Sequence, residues 1–245
     1  MDGFPKELLH LILNNVDIYS LLKSKLVCKD IFIVANEIFC DIKIYIENKD
    51  TFDLIKENFK YIKFAIKLKK FNNWDDGLYI ACLGGHLNIV NLMLEKGAND
   101  WNKGFYYACK DGHLNIIHYL IEKGADAWNV GLRYACKGGH LDIVNLMIDK
   151  GANVWNEGLE DACYGGHLNI VNLMIEKGAN AWNWGLYGAC KGGHLNIVNL
   201  MIDKGANGWN WGLYYACMGS HLNIINYMID KGANPIIWNE YGIQI

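Results

Sequence analysis

The sequence predicts a mainly α-helical chain. An α-solenoid of six 27-residue repeats spans 74–235, behind a small helical domain over 1–40 and a short β-α-β linker unit over 41–73. Three observations carry this. His86, His113, His140, His167, His194 and His221 are spaced by 27 residues, and so are the tryptophans from Trp74 to Trp209 and the cysteines from Cys82 to Cys217. A fixed period of this length is the signature of stacked supersecondary units. Each unit carries two short helical patterns, and alternation with period two occurs only ahead of the repeats.

The units are 74–100, 101–127, 128–154, 155–181, 182–208 and 209–235, and a partial seventh begins at Trp238 as a C-terminal cap over 236–245. In the third unit the spacing predicts a first helix from about Gly131 to Lys137, with Asn129 as its N-cap and Gly138-Gly139 as its breaker. A second helix follows from about Leu141 to Lys150. Ile143, Val144, Leu146, Met147 and Ile148 form its apolar face, Asp142, Asn145 and Asp149 keep one edge wet, and Gly151 ends it. A unit this small cannot bury its own apolar face, so stability must come from stacking on its neighbours.

Gly139-His140-Leu141-Asp142-Ile143-Val144-Asn145-Leu146-Met147-Ile148-Asp149-Lys150-Gly151-Ala152-Asn153 resembles the second half of an ankyrin repeat, and the match recurs in all six units. The first half departs from that family. The usual unit has 33 residues, and Gly131-Leu132-Arg133-Tyr134-Ala135-Cys136 stands where Thr-Pro-Leu-His is usual. Only a few residues, such as Asn153 to Glu157, join one unit to the next. That is too short for a projecting β-hairpin finger, so a compact turn is expected.

Composition excludes several function classes. The net charge is −3, which gives no electrostatic reason to expect nucleic acid as partner. No apolar run is long enough to span a membrane. The N-terminus lacks the pattern of a secretory signal, so a cytoplasmic or nuclear location with reduced thiols is expected. No nucleotide-binding, metalloprotease or nucleophile-elbow motif occurs, so no catalytic residue, cofactor or enzymatic activity is expected. Cys-x-x-x-His recurs in every unit, as Cys136 and His140, yet it leaves a metal short of ligands. The Cys reads as a small core residue and the His as a tie between loop backbones. The Trp that opens each unit reads as a packed wedge.

Compared with each other, the units vary at four positions on or beside the first helix. The position before the first-helix Gly is Asp76, Lys103, Val130, Glu157, Trp184 and Trp211. The others run Tyr79, Tyr106, Arg133, Glu160, Tyr187, Tyr214; then Ile80, Tyr107, Tyr134, Asp161, Gly188, Tyr215; then Leu83, Lys110, Lys137, Tyr164, Lys191, Met218. In ankyrin-like stacks this helix lines the concave surface. Tyr, Trp and Arg dominate protein-binding hot spots. A protein-binding groove is therefore expected from Tyr79, Tyr106, Tyr107, Arg133, Tyr134, Glu160, Asp161, Tyr164, Trp184, Tyr187, Trp211, Tyr214 and Tyr215. The competing reading is that these rings only cover the flank of the stack.

Ahead of the repeats, Phe4-Pro5-Lys6-Glu7-Leu8-Leu9, Asp17-Ile18-Tyr19-Ser20-Leu21-Leu22 and Leu26-Val27-Cys28-Lys29 follow in order. This resembles an F-box, with Phe4 in place of the first Leu and Ile31 or Phe32 where Trp is usual. The resemblance implies docking to the Skp-type adaptor of an SCF ubiquitin ligase through Pro5, Leu8, Ile12, Leu13, Leu22, Leu26, Val27 and Cys28. Between the two parts, Ile42, Ile44 and Ile46 alternate, as do Ile62, Phe64, Ile66 and Leu68, around a helical stretch from Thr51 to Asn58. That gives the β-α-β unit. An F-box-like end joined to ankyrin-like repeats, in an Asn-, Ile- and Lys-rich chain, resembles proteins of amoeba-infecting giant viruses. The combination implies a monomeric substrate-recognition subunit whose target is a host protein. The alternative is a scaffold that sequesters a partner without ubiquitin transfer.

Overall fold

The computed structural model describes residues 74–235. The helical domain over 1–40, the β-α-β unit over 41–73 and the partial unit from Trp238 lie outside them. The chain divides into two compact units at Gly77 and Leu78. The described helices make up the second of these, which α1 enters.

The described residues form twelve helices and no strand. They are α1 (Trp74–Leu83), α2 (Leu87–Glu95), α3 (Trp101–Asp111), α4 (Leu114–Lys123), α5 (Trp128–Gly138), α6 (Leu141–Asp149), α7 (Trp155–Gly165), α8 (Leu168–Glu176), α9 (Trp182–Gly192), α10 (Leu195–Asp203), α11 (Trp209–Met218) and α12 (Leu222–Asp230). Odd-numbered helices are the first of each pair. From α3 to α11, consecutive first helices pack closely, whereas consecutive second helices barely approach one another. The row of first helices is therefore the inner side of the curved stack.

One repeat shows how the core is made. Leu132 and Ala135 of α5 and Ile143, Val144 and Met147 of α6 are fully buried. Each large apolar side chain so buried contributes roughly 1.5–3 kcal/mol. In the second unit Phe105 takes the place of that Leu, and its ring meets Trp128 of the next unit edge-on at 5.7 Å. The wet edge of α6 is as expected, with Asp142, Asn145 and Asp149 all exposed.

The first helix is longer than the sequence suggests and starts differently. It begins at the Trp, three residues before Gly131, and its N-cap residue is Ala127. Asn129 thus lies inside the first turn and caps nothing there. Its Oδ1 instead accepts the backbone N–H of Asn153, 2.8 Å away and 24 residues on. Asn102, Asn156, Asn183 and Asn210 do the same for Asp126, Asn180, Asn207 and Asn234. Asn156 also takes the N–H of Ala181 at 3.0 Å. This ladder replaces the hairpin finger: the joint between units is a compact turn pinned by an Asn of the preceding first helix. At Ala127 the backbone has φ −80° and ψ 59°, and Trp128 N–H donates to the Asp126 carbonyl at 2.8 Å. That is the geometry of an inverse γ-turn. Asp100 gives α3 a side-chain cap, accepting from Lys103 N–H at 3.1 Å. Replacing Asn156 with Ala removes the acceptor of two backbone donors, and should lower unfolding stability by about 1–2 kcal/mol in urea denaturation.

The paired glycines divide their work. Gly138 does not break α5 but is its last residue, and Gly139 is the left-handed cap, with φ +84°. The His of the next unit lies over that cap: a Cβ on Gly139 would strike the His167 ring, and one on Gly112 the His140 ring. The second glycine of the pair is thus a seat for the following unit's His. In the sixth unit this seat is Ser220, with φ +58°.

Candidate functional site

The His rings connect units, as their position after the glycine turn suggests. His113 Nε2 donates to the Leu83 carbonyl at 3.0 Å, His167 to Lys137 at 3.2 Å, His194 to Tyr164 at 3.1 Å and His221 to Lys191 at 3.1 Å. Each acceptor is the carbonyl near the end of the previous first helix, one of the groups a helix leaves unpaired. A carbonyl only accepts, so Nε2 carries the hydrogen in each of these rings. Burial lowers the His167 pKa, the backbone bond to Lys137 opposes it, and His140 and His194 lower it further. A folded-state pKa below the unfolded value means that the unfolded chain takes up the proton first. The stability from this group is present above the ordinary His range, near pH 6.5, and is lost as pH falls through it. His167→Gln keeps an N–H donor without titrating. It should flatten the fall in thermal midpoint between about pH 7.5 and 5.

The recurring Cys is core in the first five units, and Cys217 of the sixth is only partly covered. Cys82, Cys109, Cys136, Cys163 and Cys190 are buried and unbridged. Burial pushes the Cys136 and Cys190 thiols up to about 12. Thiols held protonated in this way are inert as nucleophiles. Among the described residues no group of His, Cys, Asp or Glu is gathered to hold a metal ion, and no helix is long and apolar enough to cross a membrane.

The four variable positions fall at i, i+3, i+4 and i+7 of each first helix, which is one helical face. That face lies on the inner row. Its residues form three groups along the stack. At the N-terminal end Tyr79 and Tyr107 approach at 5.1 Å, Tyr106 and Tyr134 at 5.8 Å, and Tyr107 meets Tyr134 edge-on at 5.9 Å. The Lys103 ammonium lies 4.1 Å from the Tyr79 ring centre. Burial, followed by Asp100, Tyr134 and Asp126, raises the Tyr106 pKa.

The middle is charged. Arg133 Nε donates to Asp161 Oδ2 of the next unit at 2.8 Å. Asp161 nevertheless has a raised pKa, because burial outweighs the Arg133 hydrogen bond and charge. Burial, reinforced by Asp161, also raises the Glu160 pKa, against the opposing charges of Arg133 and Lys191. Tyr164 sits between two cations, with Lys137 at 4.4 Å and Lys191 at 5.7 Å from its ring.

The C-terminal end is aromatic again. Tyr187 stacks on Tyr215 at 5.6 Å, Trp211 meets Tyr214 edge-on at 5.8 Å and Tyr215 at 6.3 Å, and Tyr214 meets Tyr215 at 5.3 Å. Trp184 is 46% and Trp211 50% exposed, more than the half-buried tryptophans that open the units. At Gly188 the row loses its side chain: a Cβ there would collide with the Glu160 carbonyl, so α7 and α9 approach closely.

Every residue expected in the groove thus lies on this face, and Trp184 meets no other described ring. Lys103, Lys137 and Lys191 belong to the same face although their residue type did not single them out in the sequence. They occupy the same variable positions, but a cation placed over a ring in a neighbouring unit depends on how units stack. Pro5, Leu8, Ile12, Leu13, Leu22, Leu26, Val27 and Cys28 lie outside the described residues.

Comparison with known proteins agrees with the repeat geometry. The family model described as "Ankyrin repeats (3 copies)" matches residues 44–130, 106–183 and 159–237. The first match begins inside the segment read as a β-α-β unit. No curated protein sequence matches the chain. Among solved structures, the human ASB11 ankyrin repeat domain is similar at 24% identity and a TM-score of 0.43, over 64% of this chain and 84% of that one. The family model covers well over half of the chain, which belongs to the ankyrin-repeat family.

Proposed function

We propose that this interaction module is the substrate-recognition subunit of an SCF-type ubiquitin ligase. Its inner groove takes a protein target, a host protein if the chain is viral, and its F-box-like end docks on the Skp-type adaptor. Ankyrin-repeat solenoids are non-catalytic protein–protein interaction scaffolds. The observation that carries the reading is the confinement of variation to one helical face. Stacking positions repeat almost unchanged, while the groove face presents Tyr, Trp and Arg, the side chains that anchor protein interfaces.

The adaptor half rests on three motifs in order, Pro5-Lys6-Glu7-Leu8, Ser20-Leu21-Leu22 and Leu26-Val27-Cys28. The full-length chain is expected to co-precipitate a purified Skp-type adaptor, and Pro5→Ala with Leu8→Ala to lose it. An unmodified chain that ignores the adaptor, or a double variant that still binds it, leaves the scaffold that sequesters its partner.

A further inference from the structure

We propose that the partner segment is extended and basic, with a Lys or Arg seated on Glu157 and Glu160 and large apolar residues about three and six positions along, on Trp184 and Trp211. This rests on the groove reading above and names the chemistry of its occupant.

The argument starts from charge. In the fourth unit three of the four variable positions are acidic, Glu157, Glu160 and Asp161. Asp161 is neutralised by Arg133 at 2.8 Å. Glu157 and Glu160 make no hydrogen bond or ion pair among the described residues. The nearby ammonium groups of Lys137 and Lys191 lie over the Tyr164 ring instead. Glu160 is half-buried, and Arg133 and Lys191 favour its charge only from a distance, with no cation paired to it. An incoming cation supplies what this site lacks, while an incoming acid would be repelled and further desolvated.

Sequence order then fixes the rest. The units that follow carry Trp184 and Tyr187, then Trp211, Tyr214 and Tyr215, on the same face. Both tryptophans are about half exposed. Tyr and Trp faces attract apolar side chains and tolerate cations. Packed helices lie about 8–10 Å apart, and an extended chain advances about 3.3 Å per residue. One unit of the groove therefore corresponds to about three residues of an extended ligand. From Glu160 to Trp184 is one unit and to Trp211 two.

The test is selection of peptides from a random dodecamer display library on the full-length chain. Selected peptides should carry Lys or Arg followed, in either chain direction, by Trp, Phe, Leu or Met about three and six positions away. Synthetic copies should bind about 10-fold more weakly to the variant carrying Glu157→Gln and Glu160→Gln. The thermal midpoint of that variant should be no lower than that of the unmodified chain, because Glu160 loses a desolvated charge. Glu160→Lys should favour copies in which the basic residue is replaced by Glu. Peptides that lose binding on Trp211→Ala, yet show no basic preference and ignore the Gln variant, overturn this inference and leave the groove reading standing. Peptides indifferent to every groove substitution, or no selection at all, count against both.

Discussion

Gly192→Ala is expected to destabilise the repeat domain by about 3 kcal/mol, against the rule for helices. Gly192 is the last residue of α9 and has ordinary helical geometry. Propensity alone says that Ala should stabilise a helix there by up to about 1 kcal/mol. The neighbouring unit reverses the sign. A Cβ on Gly192 would overlap the Tyr164 carbonyl oxygen, and also crowd the ring of His194 at 2.7 Å. A flexible side chain could swing aside, but a backbone carbonyl at a helix end cannot without moving α7. The same displacement weakens the 3.1 Å bond from His194 to Tyr164. Gly178→Ala is the control. Gly178 has φ +105° but nothing within reach of a Cβ, so it should cost only the strain of a left-handed residue, about 1 kcal/mol. Urea denaturation of the two variants compares them directly. If Gly192→Ala is no worse than Gly178→Ala, the close stacking of α7 on α9 is wrong.

Replacing Tyr134, Tyr187 and Tyr214 together with Ala is expected to weaken capture of the target about 100-fold or more, with helicity kept. Anchors of this type each cost about 2 kcal/mol or more when truncated, and the three lie in both aromatic groups of the groove. The rings also touch their neighbours, at 5.8 Å for Tyr106 and Tyr134 and 5.6 Å for Tyr187 and Tyr215. Some loss of thermal stability is therefore expected with them. Trp184→Ala separates the two effects, because Trp184 is 46% exposed and meets no other described ring. It should weaken capture while leaving the thermal midpoint unchanged. Capture that survives both sets of substitutions, with circular dichroism unchanged, would mean that the rings only cover the flank of the stack.

The 27-residue period, the helix pairs, the finger-less joint and the variable face of the first helix are all legible in the sequence. Each is a property of spacing along the chain. Repetition supplies its own comparison, since six copies separate what stacking requires from what it leaves open. What spacing does not reveal is what depends on the next copy. Asn129 reads as a cap for its own helix, because a local partner is the default for a short polar side chain near a helix start. Its partner is 24 residues away, at Asn153. Each His reads as a loop tie, but only stacking shows that its acceptor belongs to the previous unit, 30 residues back for His167. Gly138 reads as a helix breaker, whereas the Lys110 carbonyl of the neighbouring helix is what forbids a side chain there. The groove follows the same division. Its residue types are set by the sequence, but the tertiary structure decides that Arg133 pairs with Asp161 and reaches Glu160 only from a distance. A repeat sequence determines the unit, and contacts between units, which span about a full period, are decided only when the units stack.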